Sequence, residues 1–157
     1  TDVVQRAAKP CLVFVKEVRH GRELRARLSK AGLRVEFAHG QHSIEWRQGM
    51  IASLERGALD ALVCTVVFQE GVDIPCLESV VVGSGGKSAI AALQRIGRGM
   101  RSNGGTKQTF EVWDVADKGH AWLERHAKER VRAYRAEGFD VPAPSRDNTP
   151  ADAQALS

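Results

Sequence analysis

The run Cys11-Leu-Val-Phe-Val15 is apolar at every position and rich in residues that favour β-strands. Further runs that we interpret as strands lie at 34–38, 61–65, 78–83 and 108–115. Segments with the apolar spacing of amphipathic helices separate most of them. Mostly apolar strands that alternate with helices predict an α/β fold, with a parallel β-sheet flanked by helices on both faces.

Helix ends can be placed from capping residues. The segment 17–31 is predicted to be a helix that directs Val18, Leu24 and Leu28 inward and ends at Gly32. Ser43 is a suitable N-cap for a helix that ends before Gly57. A further helix is expected to begin at Ser88.

The last predicted helix covers 118–137 and is strongly basic. We expect its basic side chains to form a solvated outer face, with contact to DNA as the alternative. They are Lys118, Arg125, Lys128, Arg130, Arg132 and Arg135. The opposite stripe, expected to face the core, consists of Leu123, Ala127, Val131 and Tyr134.

Composition indicates one ordinary globular domain. The 157 residues carry 23 basic and 19 acidic side chains, a mild excess that is compatible with a nucleic-acid partner. Three cysteines without a CxxC pair indicate reduced thiols and no zinc site. No apolar run is long enough to span a membrane. Together these features favour a location in the cytoplasm, which includes the nucleoid and the cytoplasm of a phage-infected cell. We expect a lead-in at 1–10, a domain at 11–139 and a disordered, proline-containing tail at 140–157. Because the chain begins at Thr1 without methionine, a processed product or excised fragment is expected.

The basic stretch Gln94-Arg-Ile-Gly-Arg-Gly-Met-Arg101 ends the helix expected after Ser88. Its arginines recur every three positions, so on a helix they project to one side. A guanidinium is always charged and presents a planar fork of donors that suits phosphate. The stretch therefore predicts a grip on a phosphate chain, and the simpler alternative is a solvated basic helix end.

A second polar stretch, Thr65-Val-Val-Phe-Gln-Glu-Gly-Val-Asp-Ile-Pro75, leaves the end of the third predicted strand. Gly71 permits a close backbone approach, and Asp73 can accept a hydrogen bond from a sugar hydroxyl. The alternatives are a plain strand-end hydroxyl at Thr65 and an Asx turn at Asp73.

Together these stretches resemble motifs V and VI of superfamily 2 helicases. The resemblance extends backward, because Cys11–Val15 looks like motif IV, and His39-Gly40 with Arg47 looks like the histidine-glycine signature that follows it. It covers roughly residues 8–117. It implies a single RecA-like domain, the second of the two that sandwich ATP in an ATP-dependent nucleic-acid translocase.

The resemblance also implies roles for single residues. Arg98 and Arg101 match the arginines that meet the γ-phosphate, with Arg101 as the finger that acts in the transition state. Gln94, Gly71 and Asp73 match positions near the nucleotide and the domain interface. Thr65 and Gly40 match contacts to the nucleic-acid backbone.

Two cofactors are implied, although this sequence has no cradle for them. It contains neither a P-loop nor the acidic box that binds Mg²⁺. We therefore expect ATP and Mg²⁺ to be held mainly by an N-terminal RecA-like domain, and this chain alone to be inactive as an ATPase. Gln94, where RNA-acting relatives usually carry histidine, favours DNA as the nucleic acid.

The loop 83–88 keeps two further interpretations open. It ends in Gly86-Lys87-Ser88, but Val81 stands where a P-loop requires its first glycine. Lys87 and Ser88 could instead hold a backbone phosphate at a helix N-terminus, or the loop could be a simple glycine turn. The rival functions are a stand-alone nucleic-acid-binding module of helicase ancestry without catalysis, and a small phosphate-binding α/β enzyme.

Overall fold

The six strands that the structure describes form one sheet. The computed structural model describes residues 1–65, 74, 76–83, 91, 93–94, 111–115, 121–136, 139–141 and 153–156. The strands are β1 (Cys11–Val15), β2 (Val35–Ala38), β3 (Ala61–Thr65), β4 (Ser79–Val82), β5 (Glu111–Val115) and β6 (Ala153–Leu156). The helices whose two ends the structure describes are α1 (Asp2–Arg6), α2 (Val18–Lys30), α3 (Ile44–Glu55) and α4 (Ala121–Ala136).

The sheet has the strand order β2-β3-β1-β4-β5-β6. All pairings among β1 to β5 are parallel, and β6 joins β5 antiparallel. The α/β fold with a parallel sheet flanked by helices is therefore confirmed. No described helix combines the length and the apolar character needed to cross a bilayer.

The two faces of the sheet bury two separate apolar clusters. Along β1, Leu12 and Phe14 face the cluster that includes Leu54 of α3 and Tyr134 of α4. Cys11, Val13 and Val15 face the opposite cluster, which includes Leu28 of α2. Successive strand side chains point to opposite faces, so an apolar run such as β1 can fill both clusters.

Helix ends follow the sequence-based expectation. Gly32 and Gly57, after α2 and α3, adopt positive φ values of 89° and 69°, a conformation that glycine reaches without steric cost. The hydroxyl of Ser43 accepts the amide hydrogen of Trp46 at 3.1 Å and caps α3. One inward assignment was wrong. Val18 is 39% exposed, because it occupies the first position of α2, where the helix has only begun to cover the sheet.

The ends of the chain differ from expectation. Residues 2–6, in the predicted lead-in, form α1, and Val4 is buried against the second cluster. Phe139 and Val141 pack against the first cluster, although the tail was expected to begin at 140. Residues 153–156, in the same predicted tail, form β6. Without β6, the edge of β5 would leave amide and carbonyl groups unpaired, and β6 supplies partners for them.

Candidate functional site

The carboxyl ends of the parallel strands meet along one edge of the sheet. Ala38 is paired in register with Cys64, and Val15 is paired with Thr65. The turn that begins at His39 therefore lies beside Thr65, one strand away, and neighbouring strands are about 4.8 Å apart. Ligands of open parallel sheets gather at this edge, so it is the candidate functional site.

Thr65 ends β3 and is only 6% exposed. Its hydroxyl lies at the strand end, between the ends of β1 and β2. The burial agrees with the simpler interpretation of a strand-end hydroxyl. Contact of Thr65 with a nucleic-acid backbone stays a prediction.

Gly40 lies at the same edge, in the turn between β2 and α3. The amide of His42 donates to the carbonyl oxygen of His39 at 3.1 Å, and the amide of His39 donates to Nδ1 of His42 at 3.1 Å. Gly40 itself is exposed. The sequence-based loop at 39–42 is thus a closed turn that presents a glycine to solvent.

Four rings contact one another in sequence along this turn and into α3, and the last pair is stacked. The ring centroids of Phe37 and His39 are 5.3 Å apart, those of His39 and His42 are 4.1 Å apart, and those of His42 and Trp46 are 3.9 Å apart. The last two rings are inclined by only 14°. We call these four residues the ring ladder. The sequence did not predict this ladder, although ring-bearing residues stand close together at 37, 39, 42 and 46.

The surroundings of His39 favour its uncharged imidazole. Burial lowers the pKa of His39, and the nearby His42 and Arg22 lower it further. His39 is 9% exposed, and its Nδ1 lies 3.4 Å from the amide of Gln41. A protonated ring would lose this acceptor and place a charge beside a guanidinium.

Most of the residues predicted to contact the nucleotide lie outside the described part of the chain. Arg98, Arg101, Gly71 and Asp73 lie outside the described residues, as do Lys87 and Ser88. Gln94 is helical and half-buried, next to Leu93, which is 1% exposed. The roles of these residues, and their fit to ATP and Mg²⁺, therefore stay predictions.

A buried ionic cluster lies near the same edge and was not foreseen. Asp114 is paired in register with Val82, one residue before the end of β5. Its carboxylate accepts hydrogen bonds from Arg130 and from the hydroxyl of Tyr134. The expectation that Arg130 is part of a solvated basic face was wrong, because this arginine is 5% exposed. The packing of α4 on the sheet brings it over a carboxylate of β5 that the local sequence does not reveal.

The charges of this cluster are mutually stabilised. Burial opposes the charge of Arg130, but the hydrogen bonds and the negative charge of Asp114 outweigh it, so the pKa of the guanidinium is raised. Burial, with Asp114 as a second cause, raises the pKa of Tyr134. The tyrosine therefore remains a hydrogen-bond donor at all ordinary pH values. The cluster is a structural link between α4 and β5.

Comparisons with known proteins agree on one family. The family model described as "Helicase conserved C-terminal domain" matches residues 2–103. A putative DNA 3'-5' helicase of Halobacterium salinarum is 32% identical over 149 residues, which is 94% of this chain and 23% of that protein. A probable ATP-dependent RNA helicase of Mus musculus is 29% identical over 115 residues, 72% of this chain and 19% of that protein.

The fold comparison points the same way. The crystal structure of UvsW of phage T4 superposes with a TM-score of 0.67 and 25% sequence identity, and the match covers 87% of this chain and 30% of that one. The chain therefore spans about a fifth of the length of the curated relatives quoted above and less than a third of the structural one.

Proposed function

The chain belongs to the helicase conserved C-terminal domain family of the superfamily 2 helicases, and from this premise we propose that it is the C-terminal motor half of an ATP-dependent DNA helicase or translocase. The observation that carries the proposal is the family match over residues 2–103, combined with the register that brings Thr65 and the Gly40 turn to one edge of the sheet. In this function the chain supplies one wall of a nucleotide cleft and one part of a nucleic-acid track.

The nucleotide side of the proposal relies on the arginines after Gln94. Arg98 and Arg101 contact the γ-phosphate of ATP, while an N-terminal RecA-like domain with a P-loop holds the nucleotide and Mg²⁺. ATP supplies the phosphoanhydride bond that is hydrolysed. Arg101 stabilises the charge of the transferring phosphoryl group, a contribution of about 10³–10⁵ in rate in related nucleotide hydrolysis. Gln94, Gly71 and Asp73 line the cleft.

The nucleic-acid side relies on neutral groups and one cation, Lys87. Thr65, the Gly40 turn, Lys87 and Ser88 contact backbone phosphates, which position a strand without reading its sequence. Closure around ATP and opening after hydrolysis shift this grip along the strand. Such work belongs in the compartment that holds the nucleic acid, for which we propose the cytoplasm.

DNA is the proposed nucleic acid. Gln94 occupies a position where RNA-acting relatives usually carry histidine, and the DNA helicase of Halobacterium salinarum matches more of this chain than the mouse RNA helicase does. Stimulation of ATP hydrolysis by single-stranded DNA and by RNA of equal length tests this choice. Stronger stimulation by RNA would overturn it.

The motor proposal has a direct test in the intact polypeptide that carries this chain. Arg101→Ala is expected to abolish ATP hydrolysis while nucleotide binding is largely kept, because the finger acts on the transition state. Arg27→Ala, at an exposed arginine of α2, is the matched control and should leave turnover unchanged. Unchanged hydrolysis in Arg101→Ala would defeat the assignment.

The alternative is a stand-alone nucleic-acid-binding module without catalysis. It differs from the motor in one observable respect, which is whether the native gene encodes a P-loop domain upstream of Thr1. The present chain alone is expected to show no ATP hydrolysis under either function. Robust hydrolysis by these 157 residues would contradict both.

A further inference from the structure

The turn between β2 and α3 is closed by one side chain. His42 donates its amide hydrogen to the carbonyl oxygen of His39, as in an ordinary tight turn. In return, Nδ1 of His42 accepts the amide hydrogen of His39 at 3.1 Å. This second bond satisfies a part-buried backbone donor that the sheet leaves unpaired at the end of β2.

The ring of His42 is held in the orientation that this bond requires. One of its neighbours is Trp46, at 3.9 Å between centroids and nearly parallel, and the other is His39, at 4.1 Å. Trp46 is itself anchored, since its amide is capped by Ser43 and its ring packs against the first apolar cluster. The imidazole therefore cannot rotate away from His39 without breaking a stack.

The accepting nitrogen also defines the tautomer. Because Nδ1 of His42 accepts, the ring in this arrangement carries its proton on Nε2. His39 follows the same pattern, with its Nδ1 facing the amide of Gln41 at 3.4 Å. Both imidazoles thus act on the backbone of the turn as hydrogen-bond acceptors.

The turn that these two hydrogen bonds close exposes Gly40 to solvent. The amide of Gly40 donates no hydrogen bond to any residue that the structure describes. An amide so placed, at the edge where Thr65 also ends its strand, suits an oxygen of a backbone phosphate.

We infer that His42 is the positioning residue of this turn, and that the hydrogen bond from His39 to its Nδ1 holds the Gly40 amide in the orientation that binds a backbone phosphate. The inference rests on the proposed strand-binding function. The ring stack holds His42 in place, and the acceptor nitrogen acts on the turn.

Three substitutions distinguish the role of His42 as a hydrogen-bond acceptor from its role as a stacking ring. His42→Asn keeps an acceptor oxygen near the position of Nδ1 but has no ring to stack, and His42→Phe keeps a ring on Trp46 but has no acceptor. His42→Ala has neither. His20→Ala, at an exposed histidine of α2, is the matched control. Binding of short fluorescein-labelled oligothymidine is measured by anisotropy at low salt, with the intact polypeptide, and circular dichroism verifies folding.

The acceptor role predicts a specific order of affinities. His42→Asn should bind within about twofold of the unsubstituted protein, while His42→Phe and His42→Ala should weaken binding by about three- to tenfold, the effect of one lost hydrogen bond. Normal binding by His42→Phe, or weakened binding by His42→Asn as well, would overturn the inference. If His42→Ala does not fold, the pair of Asn and Phe variants still decides.

The same titrations separate this inference from the function on which it rests. If the unsubstituted protein binds the oligonucleotide and all His42 variants bind equally well, strand binding stands and the role of His42 falls. If the unsubstituted protein binds neither oligothymidine nor oligouridine, the strand-binding function itself is overturned and the inference with it.

Discussion

Arg130 of α4 donates from Nε and Nη2 to the two carboxylate oxygens of Asp114 in β5, at 2.6 and 2.9 Å. Both residues are less than a tenth exposed, and Tyr134 adds a third donor at 2.9 Å. A buried carboxylate with this many donors is fully compensated, so the pair fixes how α4 lies on the sheet.

Breaking this pair should be costly. Arg130→Met leaves the carboxylate of Asp114 buried with the hydroxyl of Tyr134 as its one remaining partner among the described residues, and we expect the free energy of unfolding to fall by about 3–5 kcal/mol. Urea unfolding measures the loss. Arg132→Met, at an exposed arginine on the same helix, is the control and should stay within about 0.5 kcal/mol.

The double variant Arg130→Met with Asp114→Leu tests the cause. Replacing both charges by apolar side chains removes the uncompensated carboxylate, so part of the lost stability should return. A double variant less stable than Arg130→Met would show that the carboxylate is not the source of the loss.

Two glycines inside helices should respond in opposite ways to alanine. A Cβ on Gly21 would collide with the ring of Phe37, so Gly21→Ala should cost about 1–3 kcal/mol by overpacking. A Cβ on Gly49 would meet nothing within 4 Å, so Gly49→Ala should stabilise by up to about 1 kcal/mol through helix propensity. Thermal unfolding of both variants checks the pair, and equal shifts would contradict the packing of α2 on β2.

The buried thiols predict a loss of stability at high pH. Burial raises the pKa of Cys11 from 9.0 to about 11, and burial also raises that of Cys64. Above pH 9 the unfolded chain releases protons that the folded chain still holds, so stability is full below pH 9 and falls as the pH rises toward 11. The Cys11 contribution alone amounts to about 2–3 kcal/mol.

Unfolding measured between pH 8 and pH 11 shows this slope directly. Cys11→Ala removes one of the two groups and should flatten the curve. An identical slope in Cys11→Ala would argue against the buried thiol as its cause.

At the opposite edge of the sheet, Asp60 predicts acid sensitivity. Its carboxylate accepts hydrogen bonds from the amide and from Nε of Arg34, at 2.8 and 3.1 Å, and these contacts hold its pKa below 3.8. The unfolded chain takes up this proton at a higher pH than the folded one, so the stabilisation is present above pH 4 and is lost as the pH falls through the lowered pKa.

Asp60→Asn should therefore lower the urea midpoint at pH 7 and make little difference near pH 2. Glu36→Gln is a suitable control, because its ion pair with Arg25 is exposed and contributes little at either pH. A deficit of Asp60→Asn that is equally large at both pH values would contradict the role of the charge.

Local patterns predicted much of the fold. The strands 11–15 and 61–65 were predicted at their observed bounds, because a short apolar run bounded by turn residues is typical of a buried strand. The cap at Ser43 and the helix stops at Gly32 and Gly57 depend on neighbouring residues only, and they were predicted for that reason. The parallel order then followed from the alternation of strands and helices.

By itself, the sequence determined the α/β class, the strands and helix ends, and the resemblance that identifies the family, because each depends on residues close together in the chain. Only the tertiary structure decided that Arg130 is buried on Asp114, that four rings from Phe37 to Trp46 contact one another in sequence, and that β6 covers the edge of β5. The physical reason is that these contacts join groups whose neighbours are set by packing. A charge, an imidazole or a short strand has the same local pattern whether it meets water or a partner from elsewhere in the chain.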